Sequence, residues 1–191
     1  GLVSPRLGLI YKPIQPVSIY GSYSLTYLPR AGEQLASLSL TNQALDPEEF
    51  RNYEVGAKWD LATSLSFTAA LYRLDRGNVI VPDPSDPTAS ILVDAQRTKG
   101  LEVGLDGYVT RGWSVAGGYA YQDGEITRSI SASAQAGAAL AQLPKHSISL
   151  WNKCDFTPRF AAGLGVLYSS DVFTSTDNLV VLPGWTRVDA A

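Results

Sequence analysis

Apolar and polar residues alternate with a period of two over most of this chain, the signature of half-buried β-strands rather than helices. The clearest unit runs from Asn52 to Asp75. There Tyr53, Val55, Ala57 and Trp59 share one phase, while Asn52, Glu54, Gly56, Lys58 and Asp60 share the other. After a turn at Leu61 to Ser64 the alternation restarts, with Leu65, Phe67, Ala69 and Leu71 set against Ser66, Thr68, Ala70 and Tyr72. Each arm of this hairpin is about 10 residues long, the length a tilted strand needs to cross the hydrocarbon layer of a bilayer. Tyr53, Trp59 and Tyr72 fall near strand ends, where amphipathic rings favour a membrane interface.

The same pattern predicts further strands along the chain. A short apolar run, Leu7 to Tyr11, ends in a proline turn at Pro13 to Pro16, and a long strand covers Val17 to Leu28. Alternation resumes over Ile91 to Val109, from Trp113 through Tyr121, over His146 to Phe156 and over Phe160 to Phe173, with Trp185 opening a last strand. The phases blur in His146 to Phe156, where Trp151 falls in with Ser149, Lys153 and Asp155. Arg76 to Ser90 is expected to be loop, because it contains VPDPSDP with its three prolines.

Connection lengths then carry the argument. They are short at 12–16, 61–63, 110–112 and 157–159, and long at 29–49, 76–90, 128–143 and 174–184. An up-and-down sheet with tight turns at one rim and long loops at the other is how outer-membrane barrels are built, whereas Greek-key sandwiches have no reason to alternate in this way. The polar phase agrees, since Glu54, Lys58, Asp60, Glu102, Asp106 and Lys153 suit a wet lumen better than a dry core. One-sided alternation is also what a soluble antiparallel sheet shows, so that reading stays open on pattern alone.

Composition narrows the function classes. With 15 basic and 18 acidic residues and a net charge of -3 the chain has no basic face for nucleic acid. Its 45% hydrophobic content supports a large buried surface, yet no run of 18 apolar residues forms a membrane helix. The single cysteine, Cys154, makes no internal disulfide and reads as a buried or lipid-facing thiol. The absence of methionine, the start at Gly1 in mid-pattern and the stop at Ala191 within a strand lead us to expect an internal piece of a longer protein. His146 is the only histidine and reads as a structural rim residue, and no Gly-x-Ser-x-Gly elbow occurs. Asp83 and Asp86 lack the spacing and glycine of a calcium loop. An enzyme, a resident metal and a cofactor are therefore not expected.

Five stretches, FRNYEVGAKWD, QRTKGLEVGLDGYVT, WSVAGGYAYQDGEI, LPKHSISLWNKCDF and LPGWTRVDA, occur in the order and spacing seen in TonB-dependent siderophore receptors. Tyr53, Glu54, Gly56 and Lys58 match one family strand and Arg97, Gly100 and Glu102 another; Pro144, His146, Leu150 and Trp151 match a third, and Leu182, Pro183, Gly184 and Asp189 a fourth. The chain resembles most the branch associated with catecholate siderophores. The resemblance implies an all-β, antiparallel, up-and-down transmembrane barrel, present here as about nine of roughly 22 strands, with short periplasmic turns and long extracellular loops. It makes residues 1–191 a partial barrel domain, with the N-terminal plug and the terminal strands outside the chain.

The function so implied is import of a ferric siderophore across the bacterial outer membrane, energised by the TonB complex, in a monomeric barrel surrounded by outer-membrane lipid. Iron would enter only as the chelate. Arg30, Arg76, Arg128 and Tyr121 are the ligand-binding candidates, cations and an aromatic near the outer rim suited to an anionic, aromatic chelate. A passive outer-membrane channel and a soluble β-sandwich binding module are the alternatives.

Overall fold

A computed structural model describes residues 2–28, 46–83, 85–129 and 134–191, with backbone alone at 80–83 and 86–94. Its strands are β1 (Arg6–Ile14), β2 (Val17–Leu28), β3 (Glu48–Ala62), β4 (Leu65–Asp83), β5 (Asp86–Thr110), β6 (Trp113–Arg128), β7 (His146–Thr157), β8 (Phe160–Ser169), β9 (Val172–Phe173), β10 (Val181–Leu182) and β11 (Trp185–Ala190). Nine of them form one antiparallel sheet in the order β1-β2-β3-β4-β5-β6-β7-β8-β11, while β9 and β10 pair separately. Neighbours in the large sheet are neighbours in sequence throughout β1 to β8, an up-and-down meander with no Greek-key crossing. The large sheet is a single open layer, and among the described residues the two-residue pair β9–β10 is too small to be the second sheet of a sandwich.

Register assigns every side chain to a face. Across β2, β3, β4, β5 and β6 the row Gly21, Val55, Leu71, Leu101, Tyr121 lies on one face. The neighbouring row Tyr20, Gly56, Ala70, Glu102, Ala120 lies on the other. The first face is apolar yet exposed: Val55 is 53% accessible, Leu71 56%, Trp59 49% and Leu164 52%. Large apolar side chains in this number and this continuity mark contact with something other than water. Charged and hydroxyl groups gather on the second face, where Glu54, Lys58, Glu102, Ser149 and Lys153 lie. This is the inside-out polarity of a transmembrane barrel wall.

The inner face is also where large rings lie flat over missing side chains. A Cβ on Gly56 would come within 2.6 Å of the Tyr20 ring, and one on Gly100 within 2.5 Å of the Tyr72 ring. Each tyrosine thus leans across its neighbouring strand onto bare backbone. Trp151 does the same over Gly163 and Gly165, with 2.5 and 2.4 Å the corresponding distances. That accounts for the blurred phase of β7: its tryptophan faces the polar side and lies over two glycines of the neighbouring strand β8.

Two expectations fail. The segment 76–90 is not loop; β4 and β5 continue their ladder through Val79↔Val93 and Pro82↔Ser90 to Asp83↔Asp86. Beyond Gly77 and Ala95 neither strand pairs with another strand among the described residues, because β3 begins at Glu48 and β6 ends at Arg128. Prolines are tolerated in this two-stranded ribbon because half of its backbone groups point away from the partner. Phe160 to Phe173 is likewise not one strand: β8 stops at Ser169, and Val172–Phe173 turns aside to pair with Val181–Leu182.

Gly56→Ala in the full-length barrel should lift the Tyr20 ring and destabilise the wall by about 1–3 kcal/mol. Thermal unfolding read by the barrel's heat-dependent electrophoretic mobility measures this, and adding Tyr20→Ala should recover part of the loss; additive losses would show that the ring does not rest on Gly56.

Candidate functional site

The rim that joins the long connections is where a ligand arriving from outside would first meet the chain, and its inner face is built by the outer ends of β3, β4 and β5. Arg76 is its centre. Its Nε donates to Glu48 Oε1 at 2.8 Å, its Nη1 donates to Gln96 Oε1 at 3.3 Å, and its guanidinium carbon lies 5.2 Å from the Phe50 ring centroid. Phe50, Arg76 and Gln96 are register partners on three successive strands, so the sheet itself fixes this arrangement. Held by an acceptor on two sides and an aromatic face on a third, the guanidinium loses little further entropy on meeting an anion. Deeper on the same face Tyr20 Oη donates to Glu54 Oε1 at 2.7 Å, and Tyr72 Oη to Gln122 Oε1 at 3.2 Å. The wall below the rim is therefore a path of hydroxyls, amides and carboxylates.

The four candidate residues do not converge. Arg76 faces inward as described. Arg128 ends β6 opposite Ala95, on the face opposite to Arg76. Tyr121 also lies on the outward, apolar face, opposite His146, with the rings 5.3 Å apart. There Tyr119 Oη and His146 Nδ1 are hydrogen-bonded at 3.0 Å, which places the single histidine in an aromatic rim cluster. Arg30 lies outside the described residues, as do the side chains of Asp83 and Asp86. Among the described residues no group of three or more His, Cys, Asp or Glu is placed to hold a metal ion.

Two of the long connections are docked to each other, which the sequence pattern did not indicate. Residues 137–140 pair with the outer end of β6, Ile126 N donating to Ala138 O at 2.9 Å and Leu140 N to Gly124 O at 3.0 Å. Ile126 and Ala134 are fully buried there, against Ala138 and Leu140. The next loop clips onto this one. Asn178 accepts from Ala139 N at 2.7 Å and donates to Ala139 O at 3.0 Å, and Gln142 N donates to Phe173 O at 2.8 Å. Asn178 has a φ of 56°, a conformation that asparagine adopts more readily than most residues. Beside it the Asp177 carboxylate accepts from Ser175 Oγ at 2.6 Å and Leu179 N at 3.2 Å. These hydrogen bonds hold its carboxyl below the usual carboxylate range. The only sequence signal for the clip is the turn-forming run Ser175 to Asn178.

An open antiparallel meander with a wet inner face, an apolar outer face and loops interlocked at one rim is the wall of a receptor barrel, and the comparisons agree. Residues 1–191 match in full the family described as TonB dependent receptor-like, beta-barrel. This chain belongs to that family. The probable TonB-dependent siderophore receptor PiuA of Acinetobacter baumannii is 32% identical over 98% of this chain and 27% of its own length. Its crystal structure superposes with a TM-score of 0.82 at 30% identity, covering 97% of this chain and 28% of that one. The metal-pseudopaline receptor CntO of Pseudomonas aeruginosa is 32% identical over 97% of this chain and 26% of its length. The catecholate siderophore receptor Fiu of Escherichia coli K12 is 27% identical over 97% of this chain and 25% of its length. The chain thus spans about a quarter of the curated relatives it matches. Its nine-stranded sheet is a partial, unclosed TonB-dependent receptor barrel.

Asn178→Ala in the full-length receptor should unclip the two loops, raising amide hydrogen exchange at Ala139 by about tenfold for two lost hydrogen bonds of roughly 1 kcal/mol each, partly replaced by water. Because the folded carboxyl of Asp177 titrates below its unfolded value, its contribution is present above about pH 4 and is lost as pH falls through the folded value. The exchange protection factor of Leu179 should accordingly drop below about pH 4 in wild type, and Asp177→Asn should remove that step.

Proposed function

We propose that the chain is the ligand-facing part of an outer-membrane receptor that binds a ferric siderophore and imports it with energy from the TonB complex. The observation that carries this reading is the match over the whole chain to proteins whose names are those of receptors for chelated metal. The fold supports it. A wall whose inner face bears a held guanidinium at the outer rim and a hydroxyl-rich path beneath it suits capture and passage of an anionic chelate, not bond-making. The chemistry is binding followed by gated movement, and iron enters as cargo within its chelate. A catecholate-type ligand fits the aromatic and cationic rim, and the greater identity to a metal-pseudopaline receptor, 32% against 27% for the catecholate receptor, keeps the ligand class broader than that. A passive channel would share the barrel wall, and TonB dependence separates the two.

Uptake of radiolabelled ferric siderophore by cells carrying the full-length receptor should stop when the TonB gene is deleted; uptake that continues unchanged would identify a passive channel. Equilibrium binding to the purified receptor should weaken about ten- to hundredfold with Arg76→Ala, the loss of one charge-assisted contact of about 1.5–3 kcal/mol. Arg30→Ala, Arg128→Ala and Tyr121→Ala complete the set, and unchanged affinity in all four variants would remove these residues from the site.

A further inference from the structure

One stretch of the rim carries apolar side chains that no described residue covers. Leu179, Val180, Val181 and Leu182 follow one another and are 80%, 57%, 47% and 52% accessible. A membrane-spanning strand alternates, because only one of its faces meets lipid, whereas consecutive apolar residues are the pattern of a strand buried on both faces. The partner β9 lies along one edge of β10 and covers neither face.

The other edge of β10 is open, and the hydrogen bonds fix which groups it presents. Thr174 N donates to Val180 O at 2.9 Å, and the register beyond it is Val181↔Phe173. Val181 and Phe173 are thus a non-hydrogen-bonded pair, whose main-chain groups point away from each other. On its side Phe173 O accepts from Gln142 N at 2.8 Å. On the opposite side the Val181 N–H and C=O face a position where β10 has no strand among the described residues. The hydrogen-bonded order at the rim therefore runs β6, 138–142, β9, β10, beside the order β6, β7, β8, β11 of the wall. A Cβ on Gly184 would come within 2.7 Å of Ser169 O, so the chain turns from β10 into β11 hard against the end of β8. Both orders break off on the same side.

β11 runs from the rim, where Trp185 pairs with Ser169, toward the tight turn, where Ala190 pairs with Leu164. The antiparallel strand that its free edge requires rises back to the rim, and the outer connection of that strand emerges beside β10. The curated relatives extend well beyond the quarter of their length that this chain spans, so such a strand is available. We infer that this next outer connection adds a strand to β10, hydrogen-bonded to Val181 and laying its own apolar side chains over Leu179, Val180 and Leu182. Three successive outer connections then form one hydrogen-bonded rim, the third clipped to the second as Asn178 clips the second to the first.

The inference is independent of what the receptor carries, and hydrogen exchange of the full-length receptor tests it. The Val181 amide should exchange about a hundredfold more slowly than an unstructured amide, to the same degree before and after dilution of the protein. Val181→Pro deletes the free-side donor and leaves the bonds to β9, so it should speed exchange about tenfold in the next outer connection while the strands of the wall keep their protection. The wild-type measurement decides even where the proline variant fails to fold. Fast exchange at Val181 in wild type, protection that falls on dilution as a second copy in that place would give, or a next outer connection indifferent to Val181→Pro would each overturn the assignment.

Discussion

Everything in this structure follows from one requirement, that every backbone N–H and C=O placed in hydrocarbon must be paired within protein. A sheet meets it only by closing. The nine strands here do so internally from β2 to β8, but β1 and β11 are edges whose outer backbone groups have no neighbour in the sheet. Both edge strands are almost wholly exposed. The same wall turns Leu9, Ile19, Val55, Leu71 and Leu164 outward. Such a surface is unfavourable in water and favourable in lipid, so the open edges and the apolar face call for the same surroundings: more strands at the sides and acyl chains in front.

Closing a sheet around a wet lumen removes the usual means of stabilising it, an apolar core. Among the described residues only Val79, Val115, Ile126 and Ala134 are buried apolar side chains. The ladder hydrogen bonds and cross-strand pairs take over that role. The tyrosines lying on Gly56 and Gly100 and the tryptophan lying on Gly163 and Gly165 gain contact with backbone that a small lumen residue would leave to water. In two of these cases the ring also orients a polar group, Tyr20 toward Glu54 and Tyr72 toward Gln122. Packing and lumen polarity are therefore produced by the same side chains.

The alternation that made β2, β3 and β6 legible is a property of strands with one wet and one apolar face, and it blurs in β7 where Trp151 takes the polar face over two glycines. It fails at the ribbon of 79–93, where no neighbouring strand among the described residues imposes a face, so prolines are allowed and the composition resembles a loop. It fails again at β9 and β10, too short to show a period. The docked loops were illegible for a different reason: the Asn178 side-chain amide meets the main-chain N–H and C=O of Ala139, and main-chain partners leave no trace in residue identity. Arg76 was readable as a rim cation, but Glu48, Phe50 and Gln96 around it become a set only once the register is known. Tyr121 was assigned from its position along the strand, and position along a strand does not say which face a residue occupies in a ligand's path.

Under the proposed receptor function, the barrel wall does not determine which chelate is carried. Relatives named for a catecholate and for metal-pseudopaline share this wall at 27% and 32% identity, so features common to all of them are those of the scaffold. Selectivity then has to reside where the physics of the wall is silent, in segments that neither cross the bilayer nor keep the ladder in register. Among the described residues those are the ribbon beyond Gly77 and the two loops clipped together by Asn178. The clip matters because a loop that is ordered before the ligand arrives loses less entropy on binding. For the proposed receptor of a dilute chelate that economy is largest at the rim, where the ordered loops and the held guanidinium of Arg76 lie above strands that relatives of different names share.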